Sequence, residues 1–368
     1  MNLRIAGMGW VTPLGRGIDH VWEQLLREEG AIPKPISDSV SDKSYSAFRV
    51  EADTLRGLPP HPRLRRASAI SRFAVAAGLD AITCARSTIG EVDTGRMALV
   101  FAVSNGGVIY TKRFYHEVIE SGAQSASPLL FPETVFNAPA SHLAAILGAG
   151  GASYTLVGDG AVGVLAVKMA ADLLQTETLD ACLVVGAEEA DWVLCDAYHK
   201  WRLIKKKPPV LLYRDPPAGM ILSEGAGALM IAREGPVQID EIDSGGNFSH
   251  RRDAEKTVQE TLHRLASSNA CVVGSANGTF IDLAEQRALE KEMPDAVVYS
   301  AKAALGESVG ASAAWQVIIA AQALRAKQLP PSAKRSAEHP TGGGFSCSKA
   351  IVLACGLSQQ VAALRLSI

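Results

Sequence analysis

The sequence predicts an α/β fold, in which helices cover both faces of a buried and largely parallel sheet. Two runs, Met97 to Val103 and Ala181 to Ala187, contain no polar residue, as is typical of strands buried on both faces. Ser153 to Val157 is a third strand candidate, followed by a turn at Gly158 to Gly160 and a small-residue helix from Ala161. A strand, a helix and a second strand in this order form a parallel crossover unit. The 33 glycines and the low aromatic content of 6% suit close packing of helices on a sheet.

The remaining elements are predicted from the same periodicities, in chain order. The chain opens with a strand from Leu3 that ends in a turn at Pro13. Residues 31–60 are expected to be a surface loop, because they lack periodicity and are rich in Ser and Pro. Helices are expected around Val21 to Leu26, Ser68 to Cys84, Ala161 to Leu174, Ala284 to Lys291 and Ser312 to Ala326. Further strands are expected at Gly225 to Ala232, Ala270 to Gly274, Ala296 to Ser300 and Ala350 to Cys355.

The order of these elements favours an internal duplication. Apolar strands that contain or adjoin glycine, at Ile5 and at Ala228, each precede an alternation of helices and strands. We therefore expect two halves, residues 1–220 and 221–368, which are connected through residues 201–223.

Charge and composition exclude several classes of protein. The 36 Lys and Arg residues against 38 Asp and Glu residues give a net charge of −2, which argues against a dedicated nucleic-acid binder. No apolar run reaches the length of a membrane span, and residues 1–13 lack the pattern of a secretory signal, so a cytoplasmic protein is expected. The six cysteines form no CxxC pair and the eight histidines are scattered, so we expect reduced thiols, no metal site and no cofactor.

Seven stretches of the chain are informative because of their order. They are Gly7-Met-Gly-Trp-Val-Thr-Pro-Leu-Gly15, Ser71-Arg-Phe-Ala-Val-Ala-Ala77, Ser153-Tyr-Thr, Gly186-Ala-Glu-Glu189, Gly219-Met-Ile-Leu-Ser-Glu-Gly-Ala-Gly227, Ser300-Ala-Lys302 and Gly344-Phe345. In this order and spacing they resemble β-ketoacyl synthases over nearly the whole chain. The resemblance implies the thiolase-like fold, a five-layer α/β/α/β/α sandwich of two duplicated halves that is usually dimeric.

The resemblance also implies a chemistry. In the family a cysteine at the turn before a helix holds the acyl chain, since the helix N-terminus favours its thiolate. Two histidines promote decarboxylation and stabilise the enolate oxygen. Counted along the motifs, the cysteine position in this chain is Gly160, and the two histidine positions are Asn277 and Glu307. All three catalytic positions are therefore replaced, while their neighbours are kept.

The polar residues that remain are interpreted as structural. The supporting lysine of the family is retained as Lys302, for which Asp282 and Glu285 are acidic pairing candidates. Lys302 and Glu307 are expected to form a buried ion pair that fixes the core geometry, rather than an acid–base device. Asp159 is expected to be the N-cap of the helix that follows it.

Two cysteines are considered as substitutes for the missing thiol. Cys347 follows Phe345, in the loop where the family has Gly-Phe-Gly-Gly, and Cys195 is spaced i, i+4 from His199 on a helix. Neither is expected at a helix N-terminus, and both are expected to be small buried residues instead.

A ketosynthase framework without its catalytic residues resembles the chain-length-factor subunits of type II polyketide synthases. This resemblance implies a heterodimer with an active ketosynthase, a role in shaping the acyl tunnel, and an acyl carrier protein as a further partner. Those factors commonly have glutamine at the cysteine position, so Gly160 favours an aryl-polyene-type or divergent pathway. The candidates for the tunnel, gate or interface are Phe136, Asn137 and Phe345, and those for the carrier-protein contact are Arg63, Arg65, Arg66 and Arg72.

Other interpretations stay open at this point. Phe136 and Asn137 are equally consistent with core packing, and the arginines and Lys205 to Lys207 with a solvated surface. The chain as a whole is a non-catalytic partner of a ketosynthase, an altered enzyme or an acyl-binding scaffold. The altered enzyme would be a homodimer, such as a malonyl-carrier-protein decarboxylase that uses Lys302 and Asn277.

Overall fold

The structure, a computed structural model, describes residues 2–38, 41–205, 207–331 and 347–368, and most of its strands join one large sheet. In chain order the strands are β1 (Leu3–Thr12), β2 (Gly15–Arg16), β3 (Lys34–Asp38), β4 (Ser41–Phe48), β5 (Met97–Val103), β6 (Ser153–Val157), β7 (Ala181–Glu188), β8 (Leu222–Ser223), β9 (Gly225–Ala232), β10 (Val237–Asn247), β11 (Ala270–Val273), β12 (Val298–Tyr299), β13 (Lys349–Cys355) and β14 (Gln360–Ser367).

The helices alternate with these strands along most of the chain. They are α1 (Ile18–Leu26), α2 (Ala69–Ile89), α3 (Val108–Ser121), α4 (Ala138–Leu147), α5 (Val162–Leu173), α6 (Trp192–Lys200), α7 (Ala254–Leu265), α8 (Phe280–Glu292), α9 (Lys302–Leu305) and α10 (Ser312–Ala326). Short 3₁₀ turns lie between them, including Pro62–Arg65 just before α2.

Two successive groups of five strands have the same order in space. The first group runs β6-β5-β7-β9-β1, and the second runs β12-β11-β13-β14-β10. When the five strands of each group are numbered in chain order, both groups have the same spatial order, 3-2-4-5-1. The groups are joined where β1 pairs with β10, from Leu3 opposite Ile239 to Ile5 opposite Val237. By strand order β9 completes the first group, and the division of the chain at residue 220 stays a prediction.

The helices form three layers around these two groups of strands. α5 and α10 contact each other and strands of both groups, so they form the central layer. α2 and α4 lie on the outer face of the first group, while α7 and α8 cover the second. Separate apolar cores fill the spaces between these layers. The α/β/α/β/α sandwich expected from the sequence is therefore present.

Two glycines allow α2 to pack directly on β1. A Cβ atom at Gly7 would lie 2.2 Å from the carbonyl oxygen of Ala81, and one at Gly9 would lie 2.2 Å from that of Ala77. No real pair of atoms approaches so closely, so the helix packs only on a strand that lacks side chains there. This contact explains the glycines in the opening strand.

The structure also corrects the sequence analysis. The prediction of a surface loop over residues 31–60 is wrong, because β3 and β4 pair antiparallel and β4 pairs in parallel with β8 in a small second sheet. Most side chains on β3 are exposed, which leaves little alternation for a periodicity argument to detect. α2 also extends to Ile89 rather than ending at Cys84. Further elements that were not predicted from the sequence include α3, α4, α7, β10 and β14.

The substitution Gly9→Ala tests this helix–strand contact. We expect it to lower the free energy of unfolding by about 1–3 kcal/mol or more, since overpacked positions must shift the backbone. Gly30→Ala is the matched control, because a Cβ atom there has its nearest neighbour at 3.6 Å. Urea unfolding measures both variants, and equal stability of the two would contradict the packing argument.

Candidate functional site

Gly160 lies in the turn between β6 and α5, and this turn packs against the turn between β13 and β14. A Cβ atom on Gly160 would lie 3.2 Å from the carbonyl oxygen of Cys355 and 3.3 Å from the Cα atom of Gly356. These distances are tighter than ordinary contacts, so a side chain at residue 160 has to displace the β13–β14 turn. The β13–β14 turn was not predicted from the sequence. Phe345, the gate candidate predicted from the resemblance, lies outside the described residues.

Asp159, beside Gly160, does not cap α5, so that expectation is wrong. The N-cap residue is Ala161, and no side chain caps the helix. The Asp159 carboxylate instead accepts hydrogen bonds from the β13–β14 turn, about 200 residues later in the chain. The donors are the amides of Leu357, Ser358 and Gln359 and the hydroxyl of Ser358. A contact at this distance in the chain leaves no local sequence signal.

The two expected histidine positions lie side by side and are hydrogen-bonded directly to each other. Asn277 follows β11, Lys302 begins α9, and Glu307 precedes α10. The Asn277 side-chain amide donates to Glu307 Oε2 at 2.7 Å, and Lys302 Nζ donates to the same oxygen at 2.8 Å. All three side chains are buried, and Glu307 Oε1 has no hydrogen-bond partner among the described residues. The buried Lys302–Glu307 ion pair expected from the sequence is therefore present.

Asp282 and Glu285 do not make the expected ion pair with Lys302. Asp282 accepts hydrogen bonds from the backbone amides of Asn277 and Tyr213, at 2.8 and 2.7 Å. Glu285 accepts from the Tyr213 hydroxyl at 2.6 Å and from the amide of Ser275. Burial raises the pKa of Glu285 to about 7 and also raises the pKa of Asp282. Both carboxyl groups therefore hold the segment after β11 in place.

A further pair of acidic residues, not singled out as candidates from the sequence, lies at the end of β7. Glu188 accepts hydrogen bonds from the amides of Ser104 and Asn105, at 3.0 and 3.1 Å. Glu189 accepts from the amide of Ile109 in the first turn of α3 at 3.2 Å. Burial raises the pKa of Glu188 to about 8 and that of Glu189 to about 7. The motif Gly186-Ala-Glu-Glu189 was the available signal.

To replace the missing nucleophile, a cysteine would have to lie next to Gly160 and have a thiol with a lowered pKa. None of the candidate cysteines meets both conditions. Cys195 is buried in α6, where burial raises its pKa to about 12. A hydrogen bond with Cys271 lowers the pKa of the Cys347 thiol to about 7, but this pair lies at β11 and the start of β13. Cys355, which the sequence analysis missed, has its carbonyl next to Gly160, but burial raises the pKa of its thiol.

Exposed apolar side chains are concentrated on the segments around β6. α3 contacts residues 131–133, and α4 contacts both that segment and β6. Phe136 is 45% exposed and Asn137 is exposed before α4, so neither is a core residue in the chain alone. We call the following side chains the β6 face: Tyr115, Ile119, Leu129, Phe131, Val135, Phe136, Tyr154 and Val157.

The four candidate arginines surround the start of α2, and all are exposed. Arg65 and Arg72 line an open groove of about 640 Å³ with an apolar floor that includes Leu55 and Leu64. Arg63 and Arg66 do not line this groove. The structure thus brings two of the four together.

The chain is similar to known proteins in both sequence and fold. The family model described as Beta-ketoacyl synthase, N-terminal domain, matches residues 2–235, which is more than half of the chain.

The chain belongs to the β-ketoacyl synthase family.

Relatives within this family cover most of the chain at low identity. The 3-oxoacyl-[acyl-carrier-protein] synthase 2 of Vibrio cholerae serotype O1 is 22% identical over 363 residues, covering 89% of this chain and 87% of that protein. The corresponding synthase of Coxiella burnetii is 24% identical with the same coverage.

Solved structures of similar fold include a β-ketoacyl synthase from Burkholderia phymatum, with a TM-score of 0.82 and 17% identity over 99% of this chain and 98% of that one. A ketosynthase in complex with its chain length factor from Xenorhabdus doucetiae has a TM-score of 0.80 and 16% identity, covering 100% and 98%. The fold of this β-ketoacyl synthase family member is therefore thiolase-like, as expected.

Two further properties concern the part of this β-ketoacyl synthase family member that the structure describes. Its helices include none that is long and apolar enough to cross a membrane. It also contains no cluster of three or more His, Cys, Asp or Glu side chains with the geometry of a metal site.

The buried carboxyl group of Glu188 predicts a dependence of stability on pH. Its pKa is about 8 in the folded chain against an ordinary 4.5, so the folded state binds this proton more tightly. The stability it contributes is fully present below the lower value and is lost as the pH rises through the higher one. We expect the free energy of unfolding to fall by on the order of a few kcal/mol across that interval.

Glu188→Gln cannot titrate, so the fall should be smaller in this variant. Urea unfolding at a series of pH values measures it. Glu189 and Glu285, whose pKa values are both raised to about 7, contribute in the same direction and remain in the variant. An unchanged pH dependence in Glu188→Gln would contradict the prediction.

The Lys302–Glu307 pair predicts non-additive effects of substitution. Lys302→Met leaves the buried Glu307 carboxylate without its cation, and we expect a loss of about 3–5 kcal/mol in the free energy of unfolding. The double variant Lys302→Met, Glu307→Met removes both charges and should recover much of that loss. Denaturant unfolding of the two single variants and the double variant measures the coupling. Additive losses would show that the pair is not coupled.

Proposed function

We propose that this chain is a catalytically degraded ketosynthase homologue that acts as the chain-length-factor partner of an active ketosynthase. The proposal rests on the residues that stand at the three positions the family uses for catalysis. Gly160 carries no nucleophile, and Glu307 Oε2 accepts hydrogen bonds from both Asn277 and Lys302. In this role the chain shapes the tunnel for a growing acyl chain of polyketide, polyene or fatty-acid type.

The chemistry of condensation supports this assignment. Acyl transfer needs a nucleophile whose attacking form is accessible at the reaction pH. Decarboxylation and enolate formation need neutral hydrogen-bond donors or a general acid at the developing oxyanion. Glu307 is an acceptor when ionised, and it uses Oε2 to hold both Asn277 and Lys302. The two donors are thereby occupied within the chain.

The β6 edge supports a partner of the same fold. Leu99 N donates to Ala152 O and Gly158 N donates to Val103 O, so even-numbered residues of this segment pair with β5. By the alternation of strands, the main-chain groups of Ser153, Thr155 and Val157 face away from β5, at the edge of the sheet. An exposed strand edge beside apolar side chains is suited to pairing with a second chain.

The similar structures indicate the kind of partner. Those of comparable fold include the ishigamide ketosynthase/chain length factor, as well as the Xenorhabdus doucetiae complex. Another is a type II polyketide acyl carrier protein in complex with its ketosynthase. We therefore assign the β6 face to the ketosynthase and the exposed arginines near α2 to an acidic carrier protein.

Substitutions on the β6 face test the proposed heterodimer. Thr155→Pro removes an outward-facing amide without affecting the pairing with β5, and Ile119→Asp places a charge on the apolar surface. We expect each to weaken binding of the partner ketosynthase by about tenfold or more, which corresponds to ~1.4 kcal/mol. Ile32→Asp is the matched control, since Ile32 and Ile119 are 83% and 80% exposed. Co-purification and light scattering with ketosynthases of the source genome measure binding.

Two outcomes would contradict the proposal. One is a stable homodimer that binds none of these ketosynthases, which favours an acyl-binding scaffold. The other is release of carbon dioxide from malonyl carrier protein by the pure chain, with loss of that activity in Lys302→Ala, which favours a decarboxylase.

A further inference from the structure

The turn that contains Gly160 holds an anion supplied by the chain itself. Asp159 Oδ1 accepts from the amide of Gly160 at 2.7 Å and from the amide of Leu357 at 2.9 Å. Asp159 Oδ2 accepts from the amide and hydroxyl of Ser358, at 2.7 and 2.8 Å, and from the amide of Gln359 at 3.3 Å. Five donors therefore converge on this carboxylate.

Such an arrangement is an anion-binding site in its own right. Successive backbone amides of a turn form a concavity that favours negative charge. Here the amides come from two turns that are far apart in the chain, one before α5 and one between β13 and β14. A small carboxylate ligand also has two oxygens, and these would satisfy the same five donors.

The glycines around the carboxylate show that the site is shaped to contain it. A Cβ atom on Gly356 would lie 2.2 Å from Asp159 Oδ2 and 2.4 Å from its Cγ. Residue 356 must therefore be glycine for the carboxylate to occupy this position. Gly160 in turn leaves room for the β13–β14 turn to approach, as its contact with Cys355 shows.

We propose that Asp159 permanently fills, from within the chain, a site that would otherwise bind the carboxylate or oxyanion of a small ligand. This proposal rests on the proposed function, and it deepens it. With Gly160 N and Leu357 N bonded to Asp159, neither amide is available to the carbonyl oxygen of an acyl thioester. The chain then presents the fold to its partner without competing for the acyl group.

Removal of the carboxylate and its replacement from solution test this proposal. Asp159→Ala leaves five donors around an open space, so we expect its Tm to fall by at least ~3 °C. Added formate should then raise the Tm of this variant in a saturable manner, because one formate ion supplies the missing oxygens. Sodium chloride at the same ionic strength controls for screening, and Asp172→Ala, which removes an exposed carboxylate of α5 paired with Lys168, controls for the loss of any acidic residue.

Asp159→Asn keeps the test decisive if the alanine variant does not fold. Its amide fills the space but presents NH2 to donors, so we expect a lowered Tm that formate does not raise. A wild-type Tm in both variants would overturn the proposal, as would an equal response to formate in Asp159→Ala, Asp172→Ala and the wild type. Failure to bind a ketosynthase would contradict the proposed function while leaving the formate result intact, so the two are distinguishable.

Discussion

The close packing of the two central helices is the constraint on which the site depends. A Cβ atom on Gly163 of α5 would lie 2.8 Å from the Cβ atom of Ala313 in α10, and one on Gly227 of β9 would lie 2.9 Å from that of Ala314. These contacts fix the distance between the helices and from the helices to the strands. Because Gly160 precedes α5 and Glu307 precedes α10, the same packing fixes the two sides of the site.

The first residues of α5 and α10 are buried, and this burial determines the electrostatics of the site between the two helices. Polar groups there must find partners within the protein, and most of the partners are backbone amides, as for Glu188 and Asp282. Lys302 forms a buried ion pair with Glu307. Such surroundings favour neutral acids and raise the pKa of a thiol, as they do for Cys355.

The sequence predicted the parts of the fold that depend on neighbouring residues. Continuous apolar strands such as β5 and β7, and the turn before α5, were identified because their patterns are local. β3 was missed because its mostly exposed side chains leave little alternation. The role of Asp159 was missed because four of its five hydrogen bonds come from residues about 200 positions later in the chain. The Lys302–Glu307 pair was predicted because its members are five residues apart, at an interval the resemblance made meaningful.

β6 connects the site to the proposed interface. The strand ends at Val157, and Asp159 follows within two residues. The hydrogen bonds of Asp159 to the β13–β14 turn anchor the end of β6, which among the described residues has a neighbouring strand on one side only. In the proposed assembly, a partner strand pairs with the free side and requires that edge to be straight and fixed. In that assembly, the Asp159 carboxylate would stabilise the interface from a position next to Gly160.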